Sequence, residues 1–512
     1  MTQPKKLIEV AMPIKEISAE SVRDKSIRHG HISTLHLWWA RRPLPVCRAV
    51  VFASLVPDPL DPNCPQSFKD AVEILLGKAN NFGDPYGPYA DIPWTSIYDP
   101  MEDNLRNRLQ MFIGKFTDPM QQHLLGRGAK PQAGKMLTDN SLIKWDSKND
   151  ENIIGKARKL IWVAHNSKNT PTITAEELLA DFDQHYKAIK NAENELYALE
   201  NRHLKTVLVT QLESNLETAK EAFLDKMPKV FDPFAGGGAI PLEAARLGCR
   251  SYGNDINPVA HIIQKGSLEF PQKYGKPITY SKEEFVKLYG EDELLSWCHQ
   301  NGLHIDSSNL KIELINRLSF DVQFFAQQII KKTNIEVGGL YHPNEHGNKP
   351  LVYYWSRVAS CINPSCKAEI PLLKQFYLSK KRTTSENNWV YLSPIITNNK
   401  IDFEIKKGKF EAIGWIARGN LKCPCCGNTT DVKTLKRQFI NGESKEKLLA
   451  VVWDEGGKRI FKKPSDHELE LLNKIIRPED APFEAMPTKY TQALPSCTWG
   501  ISKWGDLFSN RQ

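Results

Sequence analysis

No stretch of the 512 residues approaches the roughly 20 consecutive apolar side chains that span a bilayer, which argues against membrane insertion. The first fourteen residues carry Lys5 and Lys6 but no apolar run or small-residue cleavage site behind them, so no secretion signal is read and a cytoplasmic location is expected. Cysteine is sparse, ten in the whole chain, too few for a disulfide scaffold; in a reducing compartment clustered cysteines more often hold metal. Internal repeats and low-complexity tails are absent. Glycine spacing of the Gly-x-Gly-x-x-Gly kind and a Gly-Lys-Ser/Thr step are also missing, which disfavours dinucleotide and P-loop chemistry. What remains is an ordinary globular composition, 41% hydrophobic and 25% charged, long enough for two to four domains. The net charge of +8 favours a polyanionic partner without requiring one.

Along the chain, residues 8–17 are short and mixed, and apolar spacing predicts a helix over 34–56 with Ser33 as its cap. Residues 57–150 are rich in Pro, Gly, Asn and Asp, with short helical pieces between turns. From 174 to 226, Leu178, Phe182, Tyr186, Ile189, Leu196 and Leu216 stand near helical spacing, predicting one or two long helices that pair as a hairpin and form a solvated spacer. Residues 227–253 read as a βαβ unit, 276–335 as helical, 350–422 as strands, and 468–476 as a short helix.

The most informative run is Asp232-Pro233-Phe234-Ala235-Gly236-Gly237-Gly238, at the end of a short apolar strand. Its glycines permit close backbone approach to a ligand, and the following helix points its first amides the same way. Asp232 is placed to accept from a ligand amine. About twenty residues on, a second strand ends in Asp255, followed by Ile256, where an acceptor for ribose hydroxyls belongs. A nucleoside cofactor is expected. The Asp232–Gly238 run resembles motif I of the S-adenosylmethionine-dependent amino-methyltransferases that modify adenine N6 or cytosine N4 in DNA, where an Asp-Pro-Phe start is characteristic. The resemblance implies S-adenosylmethionine as cofactor, bound by Asp232, Pro233, Phe234, Ala235, Gly236, Gly237, Gly238, Asp255 and Ile256.

Two cysteine knuckles, Cys361/Cys366 and Cys423/Cys426, are separated by a strand-rich stretch and supply four thiolates for a tetrahedral, structural Zn²⁺. Cys425 lies between ligands and is expected to point away. The His342-x-x-Glu345-His346 spacing matches some zinc peptidases, but Pro343, Asn344 and Gly347 oppose the helix that chemistry needs, so a loop is expected. Near the N-terminus, Arg28, His29, His31, His36, Trp38, Trp39, Arg41 and Arg42 crowd basic and aromatic groups together, suited to phosphate contact and to stacking on a base or on the cofactor's adenine.

Taken in order, the N-terminal block, motif I, the knuckles and Trp504-Gly505-Asp506-Leu507-Phe508 resemble the zinc-ribbon-containing adenine-specific DNA methylases that open with the domain of unknown function numbered 1156. The resemblance implies an α/β fold: a Rossmann-like class I methyltransferase core with an incomplete sheet, a helical N-terminal region and an inserted β-rich zinc ribbon. The implied divisions are an N-terminal block at 1–65, a helical spacer at 66–226, the core at 227–345, the ribbon at 346–435, and a return towards the core at 436–512. It also implies DNA adenine-N6 methylation, in restriction-modification or phage defence. The family's Asp/Asn/Ser-Pro-Pro-Tyr/Phe loop, which positions the target amine and stacks on a flipped base, has no counterpart among these residues, which contain no Pro-Pro step. No catalytic residue is therefore assigned, the chain is expected to be inactive alone, and its expected partners are DNA and a separately encoded C-terminal half. The alternatives are cytosine-N4 or RNA methylation, and a non-catalytic nucleic-acid-binding subunit with a vestigial fold.

Overall fold

The computed structural model describes residues 3–38, 40–77, 104–167, 172–199, 202–305, 310–341, 343–344, 346–380, 385–443, 445–487 and 494–508. Its contacts divide the chain into two units, residues 1–325 and 326–512. Among the described residues no helix is long and apolar enough to cross a membrane.

The first unit begins as a helical layer: α1 (Leu7–Val10), α2 (Ile14–Ser26), α3 (Leu44–Leu55), α4 (Gln66–Leu76), α5 (Leu105–Ile113), α6 (Asp118–Leu124) and α7 (Glu151–Asn166). The helix expected over 34–56 is corrected: residues 32–34 make a single tight turn, and α3 starts only after Pro43. A proline there cannot donate the helical hydrogen bond and clashes with the turn before it, so residues 36–38 and 40–43 are non-helical. α3 is apolar nearly all round and sits in the centre, burying Leu44, Cys47, Ala49, Val51, Phe52 and Ala53. The loop-rich stretch 57–150 adds Phe68, Val72, Leu109, Phe112, Leu142 and Ile143 to the same core.

The interior face of α2 carries acids at every fourth position. Glu20 takes Arg23 and the Trp145 amide, Asp24 takes His31 and Arg41, while Glu16 is 2% exposed with Oε1 unpartnered. Burial raises the Glu16 carboxyl from 4.5 to about 7. The native state thus keeps a proton that the unfolded chain releases near 4.5, so stability falls as pH rises between these values and stays low above them. Glu16→Gln should remove that slope and stabilise the protein by roughly 3 kcal/mol at pH 8. Denaturant unfolding at pH 5 and pH 8 checks this; equal stability of the two proteins at pH 8 would refute it.

The expected hairpin is α8 (Ala175–Tyr197) and α9 (Val207–Asp225), started by a Thr174–Glu177 capping box and by Thr206. It is no solvated spacer: Phe182 and Phe223 pack on Trp162 of α7, within the main core. The βαβ unit follows as β1 (Lys229–Asp232), α10 (Ala239–Arg246) and β2 (Arg250–Gly253), with the strands parallel and Asp232 beside Gly253. Next come α11 (Pro258–Gln264), a π-helical turn (Lys265–Glu269) and α12 (Phe270–Tyr274).

The all-helical expectation for 276–335 is also corrected. Residues β3 (Ile278–Ser281) and β4 (Lys311–Leu314) pair antiparallel around α13 (Lys282–Tyr289) and α14 (Glu291–Asn301). Ile278, Tyr280, Ile312 and Leu314 are buried at alternate positions against Phe285 and Leu294, a period of two too brief to stand out among helices. α15 (Arg317–Val337) adds Phe324 to that cluster.

In the second unit, β5 (Pro350–Ser360) and β6 (Glu369–Pro371) carry the first knuckle. β7 (Tyr377–Ser379), β8 (Val390–Thr397) and β9 (Lys400–Lys407) form one antiparallel sheet; β10 (Ile416–Ala417), β11 (Asn420–Lys422) and β12 (Thr429–Thr430) form another, leading into α16 (Val432–Ile440). β13 (Lys445–Glu455) and β14 (Lys458–Lys462) extend the β5–β6 sheet in the order β14-β13-β5-β6. The expected boundary between 435 and 436 is thus no break: the later segment supplies half of the sheet that presents Cys361. α17 (Asp466–Lys474) starts at a Ser465–Glu468 capping box, two residues before its expected start. The last described helix is α18 (Leu494–Cys497). Trp504–Leu507 is a tight turn in which Asp506 accepts from the Ser502 and Lys503 amides and from Arg477.

Candidate ligand pocket and cysteine cluster

Between β1 and α10 the chain turns on Gly236, at φ +53°, where a Cβ would stand 2.6 Å from the Trp38 indole nitrogen. A side chain at 236 is therefore opposed both by conformation and by space. Asp255, just beyond β2, holds this turn: its Oδ2 accepts from the Gly236 amide at 2.9 Å and its Oδ1 from the Asn257 amide at 2.9 Å. The Ala235 amide donates to the Asn254 carbonyl, the Gly238 amide to the Ala235 carbonyl, and Asn254 Nδ2 reaches the Pro233 carbonyl. Asp232 Oδ1 accepts from the Phe234 amide at 3.0 Å. Phe234 and Ile256 are 85% and 99% exposed, two apolar side chains standing open beside the loop.

Gln264, which sequence reasoning missed, is the loop's inner support. This buried amide, the last residue before the π-helical turn, donates to the Gly236 carbonyl at 3.1 Å. It lies so close that a Cβ at Gly253 would meet its oxygen at 2.5 Å. π-Helical turns of this kind are frequent at functional sites. The only sequence signal was a glutamine at the end of a short, mostly apolar helix.

A second unforeseen group is a buried ion pair. Arg48 of α3 meets Glu243 of α10 through Nε at 2.6 Å and Nη2 at 3.3 Å, with side chains 1% and 0% exposed. Arg48 also donates to the Leu142 carbonyl, and Arg246 joins Glu243. Thus the helix that starts at the glycine turn is anchored to the N-terminal layer.

The N-terminal block divides by place. His36, Trp38, Arg41 and Arg42 line a pocket of about 370 Å³, open mouth included, together with Ile32, Ala40, Ala235, Gly237, Ala239 and Ile263. His31 is buried instead, its Nε2 2.9 Å from Asp24 and its ring stacked on Trp145 at 5.2 Å. Arg28 and His29 are exposed and line no part of this pocket, and Trp39 lies outside the described residues. Cys47 packs against Ala239, and burial pushes its thiol up to about 12, so no thiolate nucleophile is available there.

In the second unit the four expected cysteines converge: the sulfurs of Cys361, Cys366, Cys423 and Cys426 all lie within 4.8 Å of one another. Cys361 and Cys426 are 3.5 Å apart, Cys366 and Cys423 3.8 Å. A tetrahedral Zn²⁺ with bonds of about 2.3 Å requires sulfurs about 3.8 Å apart, so the cluster can hold a metal such as zinc. Each knuckle closes on itself: the Cys366 and Lys367 amides reach the Asn363 carbonyl, and the Gly427 amide reaches the Cys423 carbonyl. Cys425 is outside the set. Of the His342–Gly347 segment, His342 and Glu345 lie outside the described residues; Asn344 Oδ1 accepts from the His346 and Asn348 amides, holding a turn.

No curated protein and no solved structure matches the chain. Residues 11–75, which hold α2, α3, α4 and the pocket-lining segment between them, match the family described as "Protein of unknown function (DUF1156)".

Proposed function

We propose that residues 229–264 bind S-adenosylmethionine and that the chain is the cofactor-binding portion of a Rossmann-like DNA methyltransferase directed at adenine N6. The observation that carries the reading is Asp255 at the end of a parallel second strand, hydrogen-bonded to the amide of the glycine turn. The residues present fit the ligand. Glycines at 236 and 237 let the turn lie close beneath Trp38, and Asp255 faces a ribose diol. The second oxygen of Asp232 accepts from its ammonium, and exposed Phe234 and Ile256 offer apolar faces for adenine. When bound, the cofactor supplies a sulfonium-activated methyl group. The protein's part is to orient that methyl and, through Trp38, to cover the loop from water.

Without an Asp/Asn/Ser-Pro-Pro-Tyr/Phe loop these residues hold no group to accept the target amine, so transfer requires that loop from a second segment or chain. Support for such a partner comes from the β1–β2 sheet. Phe231 and Tyr252 are neighbours in register and 63% and 47% exposed, whereas parallel sheets are ordinarily covered on both faces. Further strands and helices from the partner would complete it.

Calorimetric titration of the purified chain with S-adenosylmethionine should show binding, and Asp255→Ala should weaken it by roughly 10- to 100-fold, the loss expected for hydrogen bonds to a charged group. A folded wild-type chain that binds duplex DNA but no S-adenosylmethionine would instead mark a non-catalytic nucleic-acid-binding subunit.

A further inference from the structure

The pocket beside the glycine turn carries a single uncompensated charge. Two arginines line it, but Arg41 donates to the carbonyl and carboxylate of Asp24, each at 3.1 Å, and that carboxylate is 1% exposed. Arg42 is exposed at the pocket wall and has no hydrogen-bond or ion-pair partner among the described residues. Among the described residues no carboxylate lines the pocket. The rest of its wall is His36 and the apolar surfaces of Ile32, Trp38, Ala40, Ala235, Ala239 and Ile263.

One free guanidinium at the edge of a small apolar cleft is a site for one planar, singly charged anion, which its fork binds through two parallel hydrogen bonds. Duplex DNA makes a different demand: phosphates repeat along its backbone and are met by several exposed cations rather than by one at a cleft. The cleft is small and open at its mouth, so it can take the end of a ligand such as a carboxylate group, with the rest of that ligand outside. Gly237 forms part of the same wall, so an anion at Arg42 lies next to the cofactor loop.

We propose that Arg42 anchors the α-carboxylate at the amino-acid end of the cofactor, making residues 32–42 a working part of the cofactor site. The inference rests on the S-adenosylmethionine reading and assigns a task to the pocket-lining part of the 11–75 segment. Arg42 here is a binding residue, and Arg41 positions it by tying the segment to Asp24.

The test compares two ligands on the full chain by calorimetry: S-adenosylmethionine, and 5′-methylthioadenosine, which keeps the nucleoside but lacks the amino-acid end. Arg42→Ala should weaken S-adenosylmethionine roughly tenfold or more, the equivalent of one charge-assisted contact, and leave 5′-methylthioadenosine as in the wild type. Arg42→Lys should fall between. Equal loss for both ligands, or for neither, overturns the proposal. So does loss of affinity for a fluorescent DNA duplex with cofactor binding unchanged, which would make Arg42 a phosphate contact. Wild-type protein that binds both ligands while Arg42→Ala changes nothing sinks this inference alone; wild-type protein that binds neither sinks the cofactor reading with it.

Discussion

Cys423→Ser is expected to strip the metal from the chain and to leave residues 326–512 without a stable fold. Three of the four sulfurs, those of Cys361, Cys366 and Cys423, are themselves buried members of this unit's core, beside Leu421, Leu435 and Phe439. The β10–β11–β12 sheet has strands of only two or three residues, too short to hold the second knuckle by hydrogen bonding alone. Structural zinc in comparable small sites contributes on the order of 10 kcal/mol of apparent free energy. The wild-type chain should contain one zinc per molecule. In the variant, limited proteolysis should degrade residues 326–512 first while residues 1–325 persist. A metal-free wild type that resists protease as well as the zinc-loaded wild type does would remove the metal from the account.

The second large effect is expected at Glu243. Replacing it by Ala leaves Arg48, 1% exposed, without its counter-charge, and removes the partner of Arg246 as well. Breaking one side of a buried ion pair costs about 3–5 kcal/mol, because the remaining charge stays desolvated. The signature is asymmetry: Arg48→Met combined with Glu243→Leu should recover part of the loss, since an apolar pair of similar volume removes the fully buried stranded charge and leaves only Arg246, 18% exposed, without its partner. Denaturant midpoints of the two single variants and the double variant decide the matter. Additive losses would mean that the two side chains do not act as a pair.

How far the sequence could be read depends on distance along the chain. The glycine turn and the knuckles are local chemistry: a triplet of glycines after a strand, or two thiols on one tight turn, announces itself within a few residues. The roof over that turn does not. Trp38 meets Gly236 only because α3 docks on α10, and nothing in the spacing of either segment records that approach. Gln264 and Arg48 were passed over for the same reason, since a polar residue in an apolar helix declares a buried partner but not which one. The missed strands β3 and β4 are four residues each, shorter than the window in which alternation can be told from helical spacing.

The Arg48–Glu243 pair also bears on modularity. A family boundary drawn at residues 11–75 suggests a detachable module, yet Leu44 and Cys47 pack against Ala239, and Arg48 neutralises the helix that follows the glycine turn. Recombination that moved this segment to another host would carry away half of an interior and strand an acid in what remained. The limits of that match trace sequence similarity, not a unit of folding.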